Sequence, residues 1–213
     1  ALVDESFSEF SIRSECPFNA AEAEPPLIEV RRTQIYLPRI DQARLSMAWV
    51  GPGIDRLQDA FGLDLLSVIL AGGRSSRLVR ELREEKQLVG EIDSSFSLQR
   101  DSSLFTVSAW LKSQFVEEVE KIICDRIFQL QTTPVSEAEL ARSKSLLCND
   151  YTFSTETPGQ LAGLYGYYQT LAKAELSVAY PLAIRQFQAL ELQHIANHYL
   201  SPERYAITVL QPC

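Results

Sequence analysis

An α+β fold of two layers, an antiparallel or mixed sheet of about five to six strands packed against several helices, is predicted by three features of this 213-residue sequence. Strand-like alternation occurs at its start, middle and end. Amphipathic stripes of helical period fill the intervals. After residue 113 the helices follow one another with no βα alternation, so a doubly wound parallel sheet is disfavoured.

Taken in order, residues 1–26 show no sustained periodicity and close on Ala23-Glu24-Pro25-Pro26, the pattern of an arm or interdomain linker. Residues 27–213 read as one domain. Leu27 to Leu37 reads as extended. Ala43, Leu45, Met47 and Trp49 then alternate with Arg44 and Ser46, the period of a half-buried strand. Gly51-Pro52-Gly53 stops that strand, and Asp55 opens a helix with Phe61, Leu65, Val68 and Ile69 on one stripe. Gly72-Gly73 ends it. A second helix is expected from Ser75 or Ser76 to about Gln87, with Arg80, Glu81, Glu84 and Glu85 on its outer face.

Two strands follow, one placing Ser94, Phe96 and Leu98 together, the other Phe105, Val107, Ala109 and Leu111. Arg100-Asp101-Ser102 makes the tight connection between them. Phe115 to Leu130 carries the next helical stripe. Ser136 with Glu139 forms a capping box for another helix, and Thr157-Pro158 opens a further one striped by Leu161, Leu164, Tyr165, Tyr168 and Leu171. One last helix is expected from about Pro181 to Leu200. Tyr205, Ile207 and Val209 close as a strand.

Composition narrows the function classes. A formal charge of −8 argues against a nucleic-acid binder, which needs clustered Lys and Arg, and against adhesion to an anionic membrane. It is compatible with a basic peptide. The longest apolar stretch, Leu63 to Ala71, is interrupted by Asp64 and Ser67 and is too short to span a bilayer. Asp4, Glu5 and Glu9 interrupt the position of a signal-peptide core, so a soluble protein is expected, with a cytoplasmic location favoured over a periplasmic or organellar one. Cys16, Cys124, Cys148 and Cys213 lack paired spacing and read as structural thiols.

His194 and His198 are the only histidines, four apart on a helix, which is zinc-ligand spacing. The residues between them, Ile195, Ala196 and Asn197, include no glutamate to take the proton of an attacking water. They are therefore read as surface or boundary histidines. No GxSxG elbow, P-loop or glycine-rich phosphate cradle is present, and Glu84, Glu85 and Glu91 read as solvated charge. The sequence contains no self-sufficient catalytic constellation.

The most distinctive stretch is Leu70-Ala71-Gly72-Gly73-Arg74-Ser75-Ser76-Arg77-Leu78, continuing through Leu82-Arg83-Glu84-Glu85. It resembles the hallmark of the second-type domain of pitrilysin/insulinase zinc peptidases, LGGGxSSRL followed by LREKxGLAY. Trp49-Val50-Gly51-Pro52-Gly53 upstream, Ser94-Ser95-Phe96-Ser97 downstream and the tail from Leu192 to Arg204 keep the family's order, so the resemblance covers about residues 27–213.

The resemblance implies a clamshell of two homologous halves. One bears HxxEH, holding zinc and the general base; the other lacks it and helps bind the peptide. With no HxxEH, this chain resembles the inactive half, with no metal or catalytic residue of its own and zinc expected in the partner half. In the family that half supplies an arginine and, seven positions later, a tyrosine. Arg83 matches the arginine; the tyrosine position holds Gly90. A guanidinium would grip a substrate carbonyl or carboxylate. The competing account of Arg83 is pairing with Glu84, Glu85 or the helix end. The Gly72-Gly73 pair is expected to act as a helix C-cap rather than to touch substrate. A structural subunit that has lost proteolysis is the rival the resemblance also implies.

Overall fold

A computed structural model of the chain describes residues 23–213 together with residues 5, 6, 8 and 9, so most of the predicted arm, and Cys16, lie outside the described residues. Five strands form one sheet: β1 (Arg31–Leu37), β2 (Ala43–Pro52), β3 (Val89–Ser97), β4 (Ser102–Leu111) and β5 (Ala206–Pro212), in the order β1-β5-β2-β4-β3. Only β1 and β5 run parallel, so the sheet is mixed. The alternation in β2 does what its period requires. Ala43, Leu45, Met47 and Trp49 are buried beneath the helices, and Phe105, Val107, Ala109 and Leu111 of β4 join them. Trp49 sits edge-on to Phe105 at 6.1 Å and donates from Nε1 to the Ser201 carbonyl at 2.8 Å, so its one polar atom is satisfied inside the core.

The helical layer comprises α1 (Leu57–Ala71), a π-helix (Val79–Glu85), α2 (Val116–Thr132), α3 (Glu137–Phe153), α4 (Pro158–Leu171), α5 (Leu176–Gln186) and α6 (Ala189–Tyr199). Short 3-10 turns at Ile54–Arg56 and Ser113–Phe115 lead into α1 and α2. Between β2 and α1, a β-carbon at Gly53 would lie 2.4 Å from the Arg100 carbonyl oxygen, so only glycine lets the chain pass so close to the β3–β4 connection.

Four expectations need correction. The helix predicted over Ser75–Gln87 is a π-helix confined to Val79–Glu85, with the Lys86 amide bonded to the Glu81 carbonyl five residues back. Gln87 ends it in the left-handed region at φ 53°. The single closing helix is two, because the fully buried Phe187 turns the chain out of helical geometry and Gln188 recaps it with Glu191 as α6. The capping box at Ser136 is half-formed: Ser136 Oγ accepts from the Glu139 amide at 3.4 Å, while the Glu139 carboxylate is taken by Arg77. Finally, of the α4 stripe only Tyr168 is buried. The complete capping box of α4, Thr157 with Gln160, forms as its sequence requires.

Candidate functional site

The distinctive Gly-Gly-Arg-Ser-Ser-Arg-Leu stretch joins α1 to the π-helix and folds back on itself. The Gly72 amide bonds the Val68 carbonyl at 2.7 Å, capping α1, and Gly73 takes φ 92°, a conformation that favours glycine. Ser76, fully buried, returns its hydroxyl to the Gly73 carbonyl at 2.6 Å and closes the turn. Arg77 then makes a two-pronged pair with Glu139, 2.8 Å on each side, tying the turn to the start of α3. Both side chains are largely withdrawn from solvent, 13% and 16% exposed. Leu78, Val79 and Leu82 anchor the segment in the core. The glycines thus serve the turn, as expected of them.

Arg83 leaves the π-helix partly exposed. Its Nε and Nη2 donate to Glu84 Oε1 at 3.1 and 2.8 Å, while Arg74 Nη2 holds the other Glu84 oxygen at 2.9 Å. Arg74 first, then Arg83, holds the Glu84 carboxyl below the usual carboxylate range. The Arg83 Nη1 donors take no part in this pair and have no protein partner among the described residues. Glu81, gripped by Arg126 at 2.6 Å and approached by Lys86 at 3.4 Å, fixes the opposite side of the π-helix to α2.

The π-helix runs into β3, against which it packs. Gly90 stands at a β-bulge between Val89 and Glu91, exposed, and a β-carbon there would meet only Gln42 Oε1 and the Trp110 carbonyl at 3.8 Å. A larger side chain fits the backbone at this position. Glu91 is exposed beside Asp93, whose carboxyl is pushed up by burial and by the Glu91 charge. Glu85 is exposed and meets Arg80 at 3.6 Å.

The other face of the sheet was not singled out in the sequence, although it is the complement of the buried alternation. Arg44 lies over the Trp110 ring at 4.8 Å, Ser46 meets Ser108 at 3.2 Å and Ser95 meets Thr106 at 3.0 Å. Leu104 and Trp110 on this face are 47% and 46% exposed. Among the described residues the outer edge of β3 has no strand partner, nor does that of β1.

His194 and His198 are exposed on α6. Between them Ile195 and Ala196 are buried, and Asn197 donates to the Gln131 and Gln193 carbonyls at 3.0 and 2.8 Å. Among the described residues, no group of three or more His, Cys, Asp or Glu side chains is placed to hold a metal ion. This donor set does not fit the zinc of a peptidase. Cys124, Cys148 and Cys213 are free thiols, and burial pushes that of Cys124 up.

A mixed-sheet α+β domain, with an intact signature turn and no HxxEH sequence, defines a class. The chain belongs to the family described as the peptidase M16 inactive domain, whose pattern matches residues 1–147. It is 25% identical over its whole length to an uncharacterized zinc protease of Mycobacterium tuberculosis and spans 48% of that protein. A protease from Helicobacter pylori has the same fold, with a TM-score of 0.89 at 22% identity, over 99% of this chain and 51% of that one. The peptidase M16 inactive domain from Pseudomonas fluorescens matches 92% of this chain and 47% of that one, at TM-score 0.77 and 20% identity. The chain spans about half the length of the curated relatives it matches.

Proposed function

We propose that this domain is the non-metal half of a zinc metalloendopeptidase, which helps bind and enclose a peptide while a homologous HxxEH-bearing half holds zinc and hydrolyses it. The observation that carries the reading is the sheet. One face is packed by helices; the other presents Leu104, Trp110 and Arg44, and the free β3 edge begins beside the π-helix bearing Arg83. An extended peptide would add to that edge through main-chain hydrogen bonds. The free Nη1 donors of Arg83 would hold a peptide carbonyl or carboxylate, with Glu84 fixing the guanidinium. Glu91 and Asp93 along the edge favour a basic chain.

The test mixes this half with its HxxEH counterpart and follows cleavage of a basic fluorogenic peptide. Turnover above that of the counterpart alone supports the role. Arg83→Ala lowers kcat/KM about 10- to 100-fold, the worth of a charge-assisted hydrogen bond. Tight pairing with no gain in turnover would instead make the domain a structural subunit. Gly90 in place of the tyrosine hydroxyl is the observation that keeps that second reading alive, and Gly90→Tyr, which the backbone admits, raises turnover if the peptidase reading holds.

A further inference from the structure

The helical layer contains a concavity that the peptide-enclosing role does not use. It measures about 310 Å³ and lies among α1, α3, α4 and α5, lined by Asp64, Asp150, Tyr151, Leu164, Tyr168 and Tyr180. A smaller cavity of about 150 Å³ shares Asp64, Tyr168 and Tyr180 and continues inward to Phe61. Its walls are aromatic. Tyr151 stacks on Tyr180 at 6.0 Å, and Phe61 meets the Tyr180 ring edge-on at 4.9 Å. At the floor, the Tyr180 hydroxyl donates to one Asp64 oxygen, and among the described residues no second donor reaches this carboxylate.

The charge of this cleft is one-sided. Among the described residues it has two carboxylates, and no Lys, Arg or His lines either cavity. Lys144, on the same helix as Asp150, is turned away to the Arg185 and Phe187 carbonyls at 3.0 and 2.6 Å. Burial pushes the Asp64 carboxyl up to about 6, with the Asp150 charge adding to the effect and the Tyr180 hydroxyl opposing it. A carboxylate held this way has given up hydration without gaining a counter-charge. Ring faces attract cations through their quadrupole, so walls and floor favour the same kind of ligand. A divalent metal ion is a poor fit, because Asp64 and Asp150 are not joined by a third His, Cys, Asp or Glu among the described residues.

We propose that this cleft binds a primary alkylammonium group, its N–H donors on Asp64 and Asp150 and its aliphatic stem along Leu164 and the tyrosine rings. A quaternary ammonium has no N–H to give Asp64 and binds less well. The ammonium comes from a free amine or from a lysine side chain. The site is independent of the pairing proposed above, since the residues lining the larger cavity all lie in the helical layer and none is on the open sheet face.

The experiment is calorimetric titration of the full chain at constant ionic strength. The probes are n-butylammonium, tetramethylammonium, Nα-acetyl-lysine amide and, as the neutral isostere, n-butanol. Saturable binding of n-butylammonium is expected, with n-butanol weaker by about tenfold or more. Asp64→Asn, which keeps an acceptor for Tyr180, lowers amine affinity at least about tenfold. Tyr151→Leu, at the rim, lowers it about three- to fivefold. Binding of n-butylammonium alone assigns a free amine; binding of the lysine amide as well assigns a side chain. Equal binding of n-butanol and n-butylammonium, no saturable amine binding, or an unchanged affinity in folded Asp64→Asn overturns the proposal. The exposed Asp150→Asn provides a second reading if Asp64→Asn misfolds, and unchanged affinity there overturns the two-carboxylate site.

Discussion

Arg77 and Glu139 lie 62 residues apart in sequence, yet they make one planar, two-pronged contact that neither residue's neighbours predict. Because both side chains are mostly withdrawn from water, removing one strands the other. Arg77→Ala is therefore expected to cost about 2–4 kcal/mol, read as a lower urea midpoint, and Glu139→Ala a similar amount. The double variant should lose less than the two single losses together. Asp64 behaves differently, since its partner is a neutral phenol. Its carboxyl lies near 6 in the fold against an ordinary 3.8, so the folded state holds this proton more tightly than the unfolded chain. That contribution is intact below about pH 4 and is lost as pH rises through about 6. Asp64→Asn should accordingly gain about 2–3 kcal/mol relative to the parent between about pH 4 and pH 7.5. An identical difference at both pH values would mean that the charge is not the cause.

Among the elements, α4 is the one whose sequence promised more than its packing delivers. Leu161, Leu164, Tyr165, Tyr168 and Leu171 make a stripe, but only Tyr168 is buried, so the helix leans on its cap. Thr157→Ala removes the hydroxyl that accepts the Gln160 amide at 3.3 Å, at a cost of about 1 kcal/mol. The effect should be local: faster amide exchange across Pro158–Leu171, with β2 and β4 unchanged. The π-helix makes the opposite point, since its strain is visible. Gln87 holds φ 53° to bring the chain into β3. Gln87→Gly should raise stability by about 0.5–1 kcal/mol, as the lost side-chain clash outweighs the added backbone freedom of the unfolded chain.

For the whole molecule, the one-sided sheet is the feature with the largest consequence. Leu104→Asp and Trp110→Asp place charge at half-exposed positions, with the Arg44 contact to the Trp110 ring lost, so the thermal midpoint should change by no more than about 3 °C. If that face meets the HxxEH half, the same pair of changes weakens association by about tenfold or more, measured by titrating one half into the other. Unchanged association would direct attention to the β3 edge instead.

The alternations of β2 and β4, the signature turn and the helix opening at Thr157-Pro158 were all legible in the sequence. Each rests on residues within a few positions of one another, where backbone period and local hydrogen bonds decide the outcome. The sheet order, the parallel pairing of β1 with β5, the break at Phe187 and the capture of Glu139 by Arg77 were decided only by tertiary structure. So was the tyrosine-walled cleft around Asp64, whose residues come from four helices. Sequence spacing sets which side chains share a face, but only packing sets which faces meet.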